Sequence, residues 1–125
     1  MTTLPKAITF DCYGTLIDWE SGIQRFFAES LDSKGIGVDP QTLQEEWEEI
    51  QFRYIQEKYR PYRQVLRDTL RMVFNNYDIP TDNEECDEFA DSMGSWKPFP
   101  DTREAILELQ KLVKVVLTSS YGYLL

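Results

Sequence analysis

Apolar residues along the chain follow two rhythms, one suited to strands and one to helices. Ala7 to Phe10 is a short β-prone run closed by Gly14, which predicts a first strand. Beyond it, Ile23, Phe26, Phe27 and Leu31 share one helical face, and Gly35 and Gly37 are stop signals. Asp39-Pro40 restarts a helix as a cap followed by a first-turn proline. Leu43, Trp47, Ile50 and Tyr54 then recur at helical spacing, in a helix expected to end near Pro61. A third stripe, Leu66, Leu70, Val73, Phe74 and Tyr77, is closed by Asp78-Ile79-Pro80. Thr81 with Glu84 fits a capping box for a fourth helix carrying Cys86, Phe89, Ala90 and Met93, with Gly94 beyond. Residues 20–94 therefore read as an all-helical insert.

The loop from Ser95 to Pro100 breaks the pattern, since neither of its prolines suits a helix interior. Asp101 with Glu104 reads as a second capping box, for a helix burying Ala105, Ile106, Leu109 and Leu112. Val113 to Leu117 is a β-branched run, and so a second strand, ending in Thr118, Ser119 and Ser120. No internal repeat, low-complexity tract or disordered linker interrupts this order. Strands separated by helices predict an α/β chain with parallel pairing. In open parallel sheets the carboxyl ends of neighbouring strands line the ligand crevice, so Asp11 would face Thr118 and Ser119.

Composition narrows the chemistry. At 125 residues and 42% hydrophobic content, the chain has the size of one domain. Its 13 Lys and Arg against 22 Asp and Glu give a net charge of −9, which repels a phosphate backbone and argues against nucleic acid as a partner. No apolar run approaches the length needed to cross a bilayer and no signal segment opens the chain, so no membrane role and a cytoplasmic location are expected. Cys12 and Cys86 lack metal-type spacing and read as reduced thiols. Histidine is absent, which removes the usual general base and nitrogen ligand and excludes Ser-His-Asp or Cys-His mechanisms built from this chain. Carboxylates, hydroxyls and basic side chains must carry any chemistry, and no metal site is expected.

Asp11, at the end of a rigid strand and before a glycine turn whose N–H groups can face an anion, suits a nucleophile that forms an ester released by hydrolysis. The same residues serve equally as a turn cap, with Thr15 making a local hydroxyl bond, and the residues alone leave both readings open.

The stretch "FDCYGTL", a helical segment after it, and a strand ending in hydroxyls, "VKVVLTSS", together resemble the haloacid dehalogenase superfamily over the whole chain. The resemblance implies a Rossmann-like parallel-sheet core, represented here by two strands, with a helical cap inserted. The first core strand and nucleophile loop would occupy residues 1–19, the cap 20–94, and a core helix with the second strand 95–125. It implies Asp11 as nucleophile, with the backbone around Cys12 and Tyr13 helping to bind an anion. Superfamily phosphatases carry a second aspartate where this chain has Tyr13. Tyrosine there is similar to the 2-haloacid dehalogenase (type II) branch, whose halide leaving group needs no proton.

The implied reaction is attack of Asp11 on the halogen-bearing carbon of a small 2-haloacid, followed by hydrolysis of the aspartyl ester. No cofactor is implied; Mg²⁺ would enter only under the alternative of a phosphatase of the same superfamily. A non-catalytic, cap-dominated binding module is the other alternative. Extending the resemblance favours Ser119 over Thr118 as the second-motif hydroxyl, with Ser120 standing where dehalogenases commonly have asparagine. Trp19 is close enough in sequence to Asp11 to line a substrate site. Arg60 or Arg63, from the basic stretch Lys58 to Arg71, could clamp the substrate carboxylate, or that stretch could pair with Glu45 to Glu49. The position of the superfamily's substrate-binding arginine falls near Glu48. Phe26, Phe27, Trp47, Phe52 and Tyr54 read as cap core. The superfamily continues past the second strand with a lysine, an acidic motif and more strands, so the chain is expected to be an N-terminal portion, inactive alone, acting on a small anionic molecule, with a homodimer allowed.

Overall fold

In the computed structural model, which describes residues 3–14 and 16–118, the two apolar runs become neighbouring strands. Strand β1 (Ala7–Asp11) and strand β2 (Lys114–Thr118) pair in parallel, Ala7 beside Lys114 and Asp11 beside Thr118. Strand β2 starts one residue later than the β-branched pattern suggests. Five helices lie between them: α1 (Trp19–Lys34), α2 (Pro40–Glu57), α3 (Tyr62–Asn76), α4 (Asn83–Ser92) and α5 (Thr102–Gln110). A short 3₁₀ turn, Met93–Ser95, extends α4. The chain is thus mixed α/β, with a helical insert between two parallel strands.

Local chemistry explains most boundaries. Asp18 caps α1 by accepting from Ser21 N, and Gly35 ends the helix in the left-handed region at φ 66°, where its N–H reaches the Leu31 and Asp32 carbonyls. Asp39 caps α2 by accepting from Thr42 N at 3.1 Å, ahead of Pro40 in the first turn. Helix α2 stops at Glu57, before Pro61, because Lys58 already adopts an extended conformation. The cap of α4 is Asp82, accepting from Glu85 N at 2.8 Å, and not Thr81. Thr81 instead donates its hydroxyl to the Glu85 carboxylate at 2.6 Å. The second expected capping box does not form, since Asp101 has helical dihedrals and makes no side-chain cap bond.

The core sits among α1 to α4, where Ile23, Phe27, Leu43, Trp47, Leu66, Leu70, Phe74 and Phe89 are all buried. Phe27 and Phe89 stack at 5.6 Å, Trp47 meets Phe89 edge-on at 5.8 Å, and the Trp47 indole donates to Thr69 Oγ1 at 2.9 Å. Phe52, expected in this core, is 58% exposed. Ala105, Ile106, Leu109 and Leu112, expected to be buried, are not, because among the described residues α5 packs only on β2, and Leu112 lies past the helix end.

Arg63 and Arg67 pair with Asp87 and Asp91 on α4, not with Glu45 to Glu49. Cys12 and Cys86 are both buried free thiols. No helix of the described residues is long and apolar enough to cross a membrane.

The two chain crossings between sheet and insert are tied together. Asp18 N donates to Lys97 O at 2.8 Å, and Leu16 O accepts from Phe99 N at 3.1 Å and from Thr102 Oγ1 at 2.9 Å. This clasp holds the turn after β1 against the chain that returns from α4.

Candidate active site

Parallel pairing places Asp11 at the carboxyl end of β1, directly in register with Thr118 at the end of β2. Asp11 is exposed there. The chain then folds back on itself, with Leu16 N and Ile17 N both donating to Cys12 O, at 2.8 and 3.0 Å, and Gly14 N donating to Ile17 O at 3.0 Å. Gly14 takes φ 87°, a conformation glycine adopts without strain, and a Cβ there would lie 3.3 Å from Trp19 Nε1. The glycine of the turn therefore sets the distance between the aspartate's loop and the first residue of α1.

Cys12 is buried, and burial followed by the charge of Asp11 pushes its thiol pKa up, so it remains a thiol rather than a competing nucleophile. Tyr13 is half-buried, with its ring edge-on to Trp96 at 6.0 Å. Burial first, and then the neighbouring Cys12, push the phenol pKa up from an already high value, so near neutral pH Tyr13 is a neutral hydroxyl and not a base.

A pocket of about 520 Å³ opens beside Tyr13. Its walls are aromatic, formed by Tyr13, Trp19, Trp47, Phe52, Tyr62 and Trp96. Trp19 and Trp47 meet at 6.0 Å. Tyr62 donates its hydroxyl to Gln51 Oε1 at 2.8 Å, which fixes the far wall. The polar lining is completed by the carboxylates of Glu45, Glu48 and Glu49. Partial burial, then the charge of Glu20, push the Glu48 pKa up, with Glu45 and Glu49 adding to this against a hydrogen bond from Gln44. Gln44 is itself buried and bridges α1 to this wall, accepting from Gln24 at 2.9 Å and donating to Glu48 at 3.3 Å.

The expected site residues thus divide into two sets. Asp11 is brought to the end of β2, and Tyr13, two residues on, lines the aromatic pocket with Trp19, whereas Asp11 and Cys12 are not among the lining residues. Arg60 and Arg63 do not line that pocket. The Arg60 guanidinium lies 3.7 Å over the Tyr54 ring and donates to Tyr54 O at 2.9 Å. Arg63 is held by Asp91 and Asp87. Ser119, Ser120 and Thr15 lie outside the described residues. Among the described residues no three His, Cys, Asp or Glu side chains gather as a metal site.

The profile of the haloacid dehalogenase-like hydrolases matches residues 5–123. The chain belongs to the haloacid dehalogenase-like hydrolases. It is 24% identical over 114 residues to the (S)-2-haloacid dehalogenase of Xanthobacter autotrophicus, covering 91% of this chain and 45% of that protein. The chain thus spans about half the length of the curated relative it matches. Among solved structures it resembles a defluorinating L-2-haloacid dehalogenase, with a TM-score of 0.80 at 21% identity over 91% of this chain and 50% of the other. It also resembles the L-2-haloacid dehalogenase of Xanthobacter autotrophicus with chloropropionic acid covalently bound, with a TM-score of 0.74 at 21% identity over 93% and 46% of the two chains. These structures establish the fold of a haloacid dehalogenase-like hydrolase, its strand pair and helical insert included.

Proposed function

We propose that this chain is the nucleophile-bearing portion of a hydrolase that acts on a carbon–halogen bond, in the manner of the 2-haloacid dehalogenases. The supporting observation is the pairing of an exposed Asp11 at the carboxyl end of β1 with a tyrosine, and not a second carboxylate, two residues on. One Asp11 oxygen attacks the halogen-bearing carbon of a small 2-haloacid, and the carbon–halogen bond breaks with its electron pair leaving as halide. Main-chain N–H groups around Cys12 and Tyr13 favour the substrate's anionic end. Water then adds to the aspartyl carbonyl, the ester breaks, and a 2-hydroxy acid and the Asp11 carboxylate are restored with release of one proton. The second-motif hydroxyl, Thr118 or Ser119, serves the ester in the same reading.

Halide departs carrying its own charge, so in this reading no proton donor and no metal are needed at the leaving group. A phosphoryl transfer would instead need a second carboxylate at position 13. The test is halide release from 2-chloropropionate by the protein completed to the length of its relatives, with and without chelator. Asp11→Asn is expected to lower release by more than about a thousandfold, and chelator to leave the rate unchanged. Strict dependence on Mg²⁺, or turnover surviving in Asp11→Asn without deamidation, overturns the reading.

A further inference from the structure

The pocket beside Tyr13 has a character that a simple haloacid does not require. It holds all three tryptophans of the chain, Trp19, Trp47 and Trp96, and its charged lining is Glu45, Glu48 and Glu49. No lysine or arginine lines it among the described residues. Aromatic faces carry negative potential and attract a cation at close range, the more so when carboxylates stand beside them. A substrate carboxylate placed there would meet like charge from each of the three carboxylates in the lining.

Trp96 is 8% exposed, with the Cδ1–Nε1 edge of its ring packed against Gly22 of α1 and its indole N–H without a partner among the described residues. The geometry points to a pocket that binds the cationic end of the substrate, so that the preferred substrate is a 2-haloacid whose chain carries an alkylammonium group, with the halogen-bearing carbon at Asp11. This rests on the dehalogenase reading for the Asp11 end only. The pocket and its charge stand apart from the chemistry. The upward shift at Glu48, due to burial first and then to the charges of Glu20, Glu45 and Glu49, agrees with a wall of neighbouring carboxylates.

Because every tryptophan lines the pocket, intrinsic fluorescence of the 125-residue chain reports on it directly. The probe is tetramethylammonium, compared with tert-butanol, a neutral molecule of similar size, and with 2-chloropropionate. Tetramethylammonium is expected to change the emission saturably, with half-saturation at least about tenfold below that of either comparator. Glu48→Gln, at an exposed position, should raise that half-saturation by about threefold or more, and Glu45→Gln should act in the same direction. The proposal is overturned if tert-butanol or 2-chloropropionate matches tetramethylammonium, or if both variants titrate as the parent does. Asp11→Asn removes halide release under the reading above while leaving this titration in place, so failure of the two ideas is distinguishable.

Discussion

Gly22 is a residue whose side chain, by being absent, makes room for another element. It lies inside α1, where alanine ordinarily improves helix stability by about 1 kcal/mol. A Cβ at this position would come 2.3 Å from Trp96 Cδ1 and 2.9 Å from Trp96 Nε1, closer than packed atoms allow. Gly22→Ala is therefore expected to lower unfolding stability by about 1–3 kcal/mol and to move Trp96, with urea unfolding followed by tryptophan emission as the check. A stabilised variant would contradict the packing described. Sequence pattern alone shows Gly22 only as a weak spot in a helix, because its constraint comes from a residue far along the chain. Gly14 differs. Its turn is built by near neighbours and follows a β-prone run, so its place was legible in "FDCYGTL" before any tertiary contact was known.

Among the elements, α1 and the start of α4 are held by one carboxylate. Glu85 accepts from Lys34 Nζ at 2.6 Å, from Thr81 Oγ1 at 2.6 Å and from Ser30 Oγ at 2.7 Å, and Lys34 also donates to Pro80 O. Burial alone would push the Glu85 pKa up, but these three donors outweigh it and the net shift is down. A carboxylate depressed in the folded state contributes stability that is present above its unfolded pKa and is lost as pH falls through the folded value. Glu85→Gln should lower stability by about 1–2 kcal/mol near neutral pH and flatten the fall in stability below about pH 5, as measured by urea midpoints across that range. An acid limb identical in parent and variant would contradict this role.

The element boundaries that local pattern missed have local causes of a similar kind. Thr81 has the right spacing for a cap, yet Asp82 accepts the helix N–H and Thr81 turns to Glu85. In α5 the period groups Ala105, Ile106 and Leu109, yet none is buried, and Leu112 lies past the end of the helix. Periodicity says which side is apolar, however, and not what lies against it.

Across the whole molecule, the order of elements and the parallel pairing were readable from two β-prone runs and five helical stripes. The meeting of Asp11 with Thr118 followed from the general rule for parallel sheets, and the register bears out the pairing of strand ends. Partners across long separations were not readable. Arg63 and Arg67 had two acidic stretches to choose from, and only the antiparallel packing of α3 on α4 selects Asp87 and Asp91. Likewise Tyr62, Trp96 and Glu48 lie on three separate segments, and the pocket exists only once those segments close beside Tyr13. Its visible traces were Trp19, close in sequence to Asp11, and the run "EEWEE" around Trp47, a tryptophan flanked by carboxylates.

The central claim, that Asp11 forms and loses an ester, is tested most directly by tracing oxygen through one turnover. With the completed protein in excess over 2-chloropropionate in water enriched in heavy oxygen, the first turnover should leave the label in the Asp11 carboxylate and none in the hydroxy acid, read by mass spectrometry of the peptide and the product. Heavy oxygen in the hydroxy acid, with an unlabelled Asp11 peptide, would mean that water attacks the substrate directly and would contradict the account.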